Sequence, residues 1–267
     1  MAEPALSETD IDAAGLAVRL RAVTKVYDNG VAALGPLDLD VAKGEFVSLL
    51  GPSGCGKSTA LRLIAGLGAP SAGTVSVSHT VNGRHPIGFV FQEPTLMPWA
   101  SVRENVRLPL KLSHVPAAEA AARIDEALAQ VGLAEFAPAY PRELSGGMKM
   151  RVSLARALVT DPDILLMDEP FAALDEITRF RLNNDLLALW RKLHKTVIFV
   201  THSVFESVYL SQRVIVMTAR PGRIDAEFRI KADEPRGEEF RTSAEYAAFY
   251  RQVSGALAPA YAGQAGA

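Results

Sequence analysis

The sequence holds one cysteine, Cys55, in 267 residues, so no disulfide can form within the chain and a reducing compartment is allowed. Neither sign of charge is in excess: 28 Lys and Arg against 30 Asp and Glu leave a net charge of −2, and the cations are scattered. That argues against a nucleic-acid-binding surface, which needs a basic face. No stretch approaches the ~18 uninterrupted apolar residues of a bilayer span, so any work at a membrane is expected from one side of it. The first residues carry acids and lack a basic-then-apolar start, so no secretory leader is expected. Aromatics are sparse at 7%. His79, His85, His114 and His194 have no metal-ligand spacing and are expected at the surface, and Trp99 and Trp190 read as packing residues. No internal repeat and no long heptad run is visible. Against these absences stand 49% hydrophobic residues, ample for a core, and an ordinary 22% of charged ones.

What is present is one stretch with a definite chemistry: Gly51, Pro52, Ser53, Gly54, Cys55, Gly56, Lys57, Ser58 and Thr59 match G-x-x-x-x-G-K-[ST]. Glycines let the backbone turn so that several N–H groups converge on one anion. Lys57 adds a point charge on a long stem, and Ser58 offers a hydroxyl to Mg²⁺. An apolar run at 46–50 precedes the loop, and Leu61 and Ile64 give helical spacing after it. Strand, loop and helix N-terminus in that order bind phosphate. Cys55 reads as a small filler within the loop.

Around this loop the periodicity alternates. Val18, Leu20 and Ala22 alternate with Arg19 and Arg21, as do Leu37, Leu39 and Val41 with their polar neighbours, which predicts half-buried strands. Residues 74–77, 87–91, 164–167, 196–200 and 214–217 read as further strands, and Ile224, Ala226, Phe228 and Ile230 alternate beyond a Pro221-Gly222 turn. Helical spacing runs over 102–112, 116–131, 144–160, 178–193 and 204–210, with Ile124, Leu128 and Val131 on one stripe. Phe240, Ala247, Tyr250 and Val253 predict a closing helix, and the Ala/Gly-rich tail from Ala256 is expected to be disordered. The fold class is therefore α/β: a phosphate-loop NTPase core with a mostly parallel sheet, an N-terminal antiparallel β portion and an inserted helical lobe. The expected layout is a disordered stretch at 1–15, an ATPase domain at 16–232 with the lobe at about 93–160 inside it, and a C-terminal helix and flexible tail at 233–267.

Two more motifs carry chemistry. Asp168 and Glu169 end an apolar strand. Beside a phosphate loop, Asp168 suits Mg²⁺ and Glu169 would project toward the γ-phosphate to polarise an attacking water, whereas alone the pair reads about evenly as solvated acids. Ser145, Gly146 and Gly147 open a helical pattern. Bare N–H groups and the helix dipole make this a second anion site, while the plainer reading is a helix cap with Ser145 as N-cap.

Leu144-Ser145-Gly146-Gly147, the run 164–170, Ala173-Leu174-Asp175 and Thr201-His202 together closely resemble the nucleotide-binding subunit of ABC transporters, over residues 18–217 and in the family's order. The resemblance implies ATP and Mg²⁺ as ligands and a head-to-tail dimer, in which Ser145 and Gly147 of one copy meet the γ-phosphate held by the other. It implies that Asp175 crosses the dimer, that His202 contacts the γ-phosphate and orients water with Glu169, and that Gln92 senses Mg²⁺ and water and connects to the helical lobe. Tyr27 falls where an aromatic ring stacks on adenine, with a surface or core aromatic near a turn as the lesser reading. The signature ends in Met148 where the family usually has Gln, which puts that position's subtler contacts in doubt.

Residues 92–99, Met148-Lys149-Met150-Arg151 and the run 171–190 resemble the importer branch for nitrate, sulfonates and taurine. The branch implies a separate membrane permease, an indirect periplasmic solute-binding protein, no nucleic-acid partner and a peripheral position on the cytoplasmic side of the inner membrane. Trp99 would then lie in the segment presented to the permease, while 94–99 alone reads as a proline-bounded loop. The rivals are a soluble ABC ATPase acting on DNA or ribosomes, which would need paired units, a coiled-coil insertion or a basic face, and a small phosphate-loop kinase, which would need neither 144–147 nor Thr201-His202.

Overall fold

A computed structural model describes residues 15–78, 87–232 and 236–262, so the expectations for 1–14, His79, His85 and 263–267 lie outside the described residues. In chain order the elements are β1 (Leu16–Val26), β2 (Ala32–Ala42), β3 (Phe46–Leu50), α1 (Lys57–Ile64), β4 (Ala72–Val77), β5 (Ile87–Val90), α2 (Val102–Leu112), α3 (Ala117–Gln130), α4 (Gly146–Leu158), β6 (Ile164–Asp168), α5 (Glu176–Leu193), β7 (Thr196–Thr201), α6 (Val204–Leu210), β8 (Arg213–Met217), β9 (Ile224–Arg229), α7 (Glu238–Thr242) and α8 (Ala244–Ala262). They form two compact units, one of Met1–His79 with Thr196–Ala267 and one of Thr80–Lys195.

In the first unit, β2, β1 and β4 make an antiparallel sheet in that order, the expected N-terminal β portion. Strands β7, β3 and β8 run parallel, and β9 pairs antiparallel with β8. Every residue of β3, β7 and β8 is buried, which is why these strands read as continuous apolar runs: a parallel strand is covered on both faces. In β9 half-buried and exposed residues alternate, as on a strand with one open face.

Two expectations need correction here. Ala22 does not continue the inward row of Val18 and Leu20. Its φ is +45°, the pairing slips between Leu20 and Val23, and Val23 takes the buried place. One extra residue at a bulge reverses the alternation beyond it. At the other end the single closing helix is two, α7 and α8, and α8 continues through Ala262 where a disordered tail from Ala256 was expected. Alanine has the highest helix propensity, and Val253 and Leu257 on α8 are buried, so the helix gains both propensity and burial.

In the second unit, β5 and β6 pair in parallel, and α2, α3 and α4 form the helical lobe with α4 against both others. The sequence sets the helix starts. Ser101 and Glu104 cap α2 reciprocally, with Glu104 Oε2 accepting from Ser101 N at 2.7 Å. Ile124, Leu128 and Val131 on the α3 stripe are all buried, as their spacing predicts. His194 and His114 are exposed, each at a left-handed φ at or just beyond a helix end. No helix among the described residues is long and apolar enough to cross a membrane.

Candidate nucleotide-binding site

The phosphate loop leaves the C-terminal end of β3 and enters α1. Gly56, the residue before the helix, has φ +98°, and a Cβ there would lie 2.5 Å from the Ala33 carbonyl oxygen, so no other residue fits. Helix α1 has neither a side-chain cap nor an acidic residue in its first turn. The other described α-helices have at least one of the two, with Ser101, Ser145, Asp175 and Ser203 acting as caps. No cap side chain and no first-turn carboxylate of its own opposes an anion at the positive end of its dipole. Lys57 is 3% exposed, and its Nζ donates to the carbonyls of Gly51 at 2.8 Å and Pro52 at 3.0 Å. These bonds turn the loop's carbonyls toward the lysine. Cys55 is buried and burial pushes its thiol above the ordinary value, in keeping with an inert filler. Ser53 and Gly54 are exposed, and Ser58 and Thr59 are half-buried on the first turn.

Tyr27 stands at the rim of this loop. Its hydroxyl is 3.2 Å from Thr59 Oγ1, the Lys25 ammonium lies 5.4 Å from its ring centroid, and 40% of the residue is exposed. An exposed ring fixed by its hydroxyl to the phosphate-loop helix can receive a flat base.

Register brings His202 to the same edge. In the parallel β3–β7 pair Leu50 faces Thr201, so Gly51 and His202 leave adjacent strands side by side, at the carboxyl ends where α/β sheets bind ligands. His202 is exposed. Across His202, Thr201 Oγ1 accepts from Ser203 N at 3.0 Å and lies 2.5 Å from Glu206 Oε2, which fixes the turn into α6.

The sequence reading missed one neighbour of the loop. Arg220, in the β8–β9 turn, donates from Nε to the Gly54 carbonyl at 3.0 Å, and Gly222 exchanges backbone bonds with Ala33 and Gly35 at 3.0 and 3.1 Å. Only the Pro221-Gly222 turn was legible locally, because the partner of Arg220 lies 166 positions away.

The second unit repeats the edge arrangement. In the parallel β5–β6 pair Val90 faces Met167, so Gln92 follows one strand where Asp168 and Glu169 end the other. Asp168 is 8% exposed, Glu169 is half-buried at φ +45°, and Gln92 is exposed. The Asp168 carboxylate is a hard oxygen donor of the kind that Mg²⁺ takes.

From Gln92 the chain runs through a loop that is held along its length. Arg156 donates to Pro94 O, Thr95 O and Thr95 Oγ1 at 2.8 to 2.9 Å. The fully buried Asn105 accepts from Met97 N at 2.7 Å and donates to the carbonyls of Met97, Ala100 and Ser101. The loop ends on Trp99, 77% exposed, so the expectation that Trp99 packs is overturned: the loop's polar bonds are made on its inner side and hold the ring out. Trp190 is half-buried.

Ser145 caps α4, its Oγ accepting from Met148 N at 3.3 Å, so the plainer expectation for it holds as geometry. Ser145 and Gly146 are exposed and Gly147 is buried. Asp175 caps α5, accepting from Thr178 N at 2.9 Å, and the hydrogen bonds from Thr178 hold its carboxyl below the ordinary range. The two caps are neighbours, since Gly146 backs onto Leu174 and Gly147 onto Thr178.

Comparisons agree with this geometry. The family model described as ABC transporter matches residues 34–172. An uncharacterised ABC transporter ATP-binding protein of Methanocaldococcus jannaschii is 47% identical over 88% of this chain and 89% of its own length. A taurine import ATP-binding protein of Jannaschia sp. is 46% identical over 82% and 84%. Among solved structures, cbiO1 of Clostridium perfringens, part of an ABC transporter complex, superposes with a TM-score of 0.73 at 28% identity, covering 81% of this chain and 90% of its own. A dimeric ATP-binding cassette in a post-hydrolysis state with ADP and Pi gives 0.69 at 35% identity, covering 81% and 100%.

Proposed function

The chain belongs to the ABC transporter family as an ATP-binding subunit that hydrolyses Mg²⁺-ATP, and from that premise we propose that it energises the import of a small sulfonate of the taurine type through a separate permease. Relatives named for taurine import support the solute class over nitrate and other small anions, since three of them are 44% to 49% identical to this chain. A peripheral position on the cytoplasmic side of the inner membrane, and a solute-binding protein on the far side, complete the proposal.

The positions of the residues support the following roles. Loop N–H groups and Lys57 hold the terminal phosphates, and Tyr27 stacks on the base. Ser58 and Asp168 would each offer an oxygen to Mg²⁺, which would supply charge neutralisation during phosphoryl transfer. Glu169 accepts the proton of the attacking water, His202 holds the γ-phosphate, and Gln92 reports on both. Ser145 and Gly147 close on the nucleotide of the opposite copy, with Asp175 at the crossing between copies. The exposure of Ser145 supports this role, since it leaves the residue accessible to a second copy.

The observation that carries the coupling is the loop from Gln92 to Trp99. It starts on the edge that bears Asp168 and Glu169, is clasped by Arg156 and Asn105, and ends in an exposed tryptophan. A stiff segment between a phosphate-sensing residue and an exposed anchor transmits closure to a partner.

The test is deletion of the gene for this chain, followed by growth on taurine, other sulfonates or nitrate as sole sulfur or nitrogen source. A defect confined to taurine and its relatives is expected, together with recovery of a multi-span permease on the tagged chain. Unimpaired growth on all of them would reject the solute class, and recovery of ribosomes or nucleic acid in place of a permease would reject the coupling.

A further inference from the structure

Helix α6 has seven residues and begins two positions after His202. A helix that short does not persist on its own in water, so its position is set by what packs on it. Its first turn is tied inward by Ser203, whose Oγ accepts from Glu206 N at 3.3 Å, and by the Thr201–Glu206 pair. What closes the rest comes from the end of the chain. Arg236, 5% exposed, donates from Nη1 to the carbonyls of Tyr209 at 3.3 Å and Ser211 at 2.6 Å, at the C-terminal end of α6. Its Nη2 reaches the Ile230 carbonyl at 3.2 Å.

Tyr246 on α8, 6% exposed, donates its hydroxyl to the Phe205 carbonyl in the first turn of α6 at 3.1 Å. Its ring meets Phe205 edge-on at 5.6 Å, and the Arg241 guanidinium lies 5.6 and 5.7 Å from the rings of Phe205 and Tyr209. Burial pushes the Tyr246 phenol well above its ordinary value, so it stays a donor wherever the protein is folded. Both ends of α6 are thus held by residues 236–246, none of which belongs to a nucleotide motif.

We propose that the C-terminal segment is a brace for His202: Arg236 and Tyr246 fix α6 at its two ends and thereby hold His202 at the γ-phosphate, so the segment sets the rate of hydrolysis without touching nucleotide. The brace rests on the role proposed for His202. Loss of one strut lets α6 shift, which misplaces the imidazole. ATP affinity, carried by the phosphate loop, is unchanged. Arg236 and Tyr246 are positioning residues.

The test uses the full chain carrying Tyr246→Phe, which removes one hydroxyl and keeps the ring. Loss of one hydrogen bond that positions the site should lower kcat about three- to ten-fold, with KM and equilibrium ATP affinity within about two-fold of the parent. In a His202→Ala background the same change should have no further effect on kcat, because the strut then has nothing to position. Arg236→Lys should restore most of the activity lost in Arg236→Met, provided both melt cooperatively. A Tyr246→Phe chain with parental kcat and only a lower Tm would show a structural contact and overturn the brace while leaving the role of His202 intact. Parental turnover in His202→Ala would overturn both.

Discussion

The N-termini of α1 and α4 are both glycine-flanked and both suited to an anion, yet they are built in opposite ways. At α1 the chain encloses the site. Gly56 is forced by a carbonyl 2.5 Å from its missing Cβ, no side chain caps the helix, and Lys57 and Arg220 take up carbonyls of the loop. At α4 the chain only backs the site. Gly147 lies against Thr178, while Ser145 and Gly146 face solvent and the Ser145 hydroxyl is engaged by its own helix. On the proposed account, one terminus holds a phosphate with its own chain's groups and the other is brought to one. The difference teaches why a single chain carries two anion sites: on the proposed account, one receives the nucleotide and the other closes on its partner's.

The sharpest way to separate the two is to stop the chemistry. Glu169→Gln should slow phosphate release by about a hundred- to ten-thousand-fold while ATP binding persists, because the amide cannot take a proton from water. Parental turnover in that variant would remove Glu169 from the mechanism. Next in size is the contrast between Lys57→Ala and Ser145→Arg. The first should weaken ATP affinity of the isolated chain by about ten- to a hundred-fold, the scale of a lost charge-assisted contact. The second should leave that affinity within about two-fold and abolish turnover, since the bulky side chain blocks closure only. Equal loss of affinity in both would erase the distinction between the two termini.

A smaller effect is expected at the residue the sequence did not reveal. Arg220→Met removes the donor to the Gly54 carbonyl and should weaken ATP affinity about two- to ten-fold in a binding titration. The smallest concerns the cap beside the closing loop. Because the folded-state carboxyl of Asp175 is held below its unfolded value, its contribution is present above the ordinary carboxylate range and is lost as pH falls through the lowered value. Asp175→Ala should therefore melt below the parent at neutral pH, and the two melting temperatures should converge in acid. A gap independent of pH would contradict the cap as the cause.

Much of this was legible because the chemistry is carried by covalent neighbours. The loop at 51–59 and the strand ending at Asp168 and Glu169 each announce themselves within a few residues, the pair Thr201-His202 is legible only through the family resemblance, and buried parallel strands read as apolar runs. The helix at 102–112 was equally plain from its spacing, and the capping box of Ser101 and Glu104 accounts for its start. What stayed hidden depends on distant partners or on local backbone choices that alternation does not encode. Ala22 looks like the next inward residue until its positive φ turns Val23 inward. Trp99 looks like core until Arg156 and Asn105 are seen to hold its loop from the inner side. The Ala-rich end of α8 looks like a tail until Val253 and Leu257 are seen buried. Likewise nothing near Arg236 or Tyr246 in sequence points to α6.

The central claim is that the phosphate loop is half of a site completed by a second copy, and sedimentation of the Glu169→Gln chain with and without Mg²⁺-ATP tests it most directly. The expected result is a monomer that becomes a dimer on adding ATP, and a Glu169→Gln, Ser145→Arg chain that binds ATP with the same affinity but stays a monomer. A Glu169→Gln chain that remains monomeric at saturating ATP, or a parent chain that hydrolyses at its full rate as a monomer, would contradict the claim.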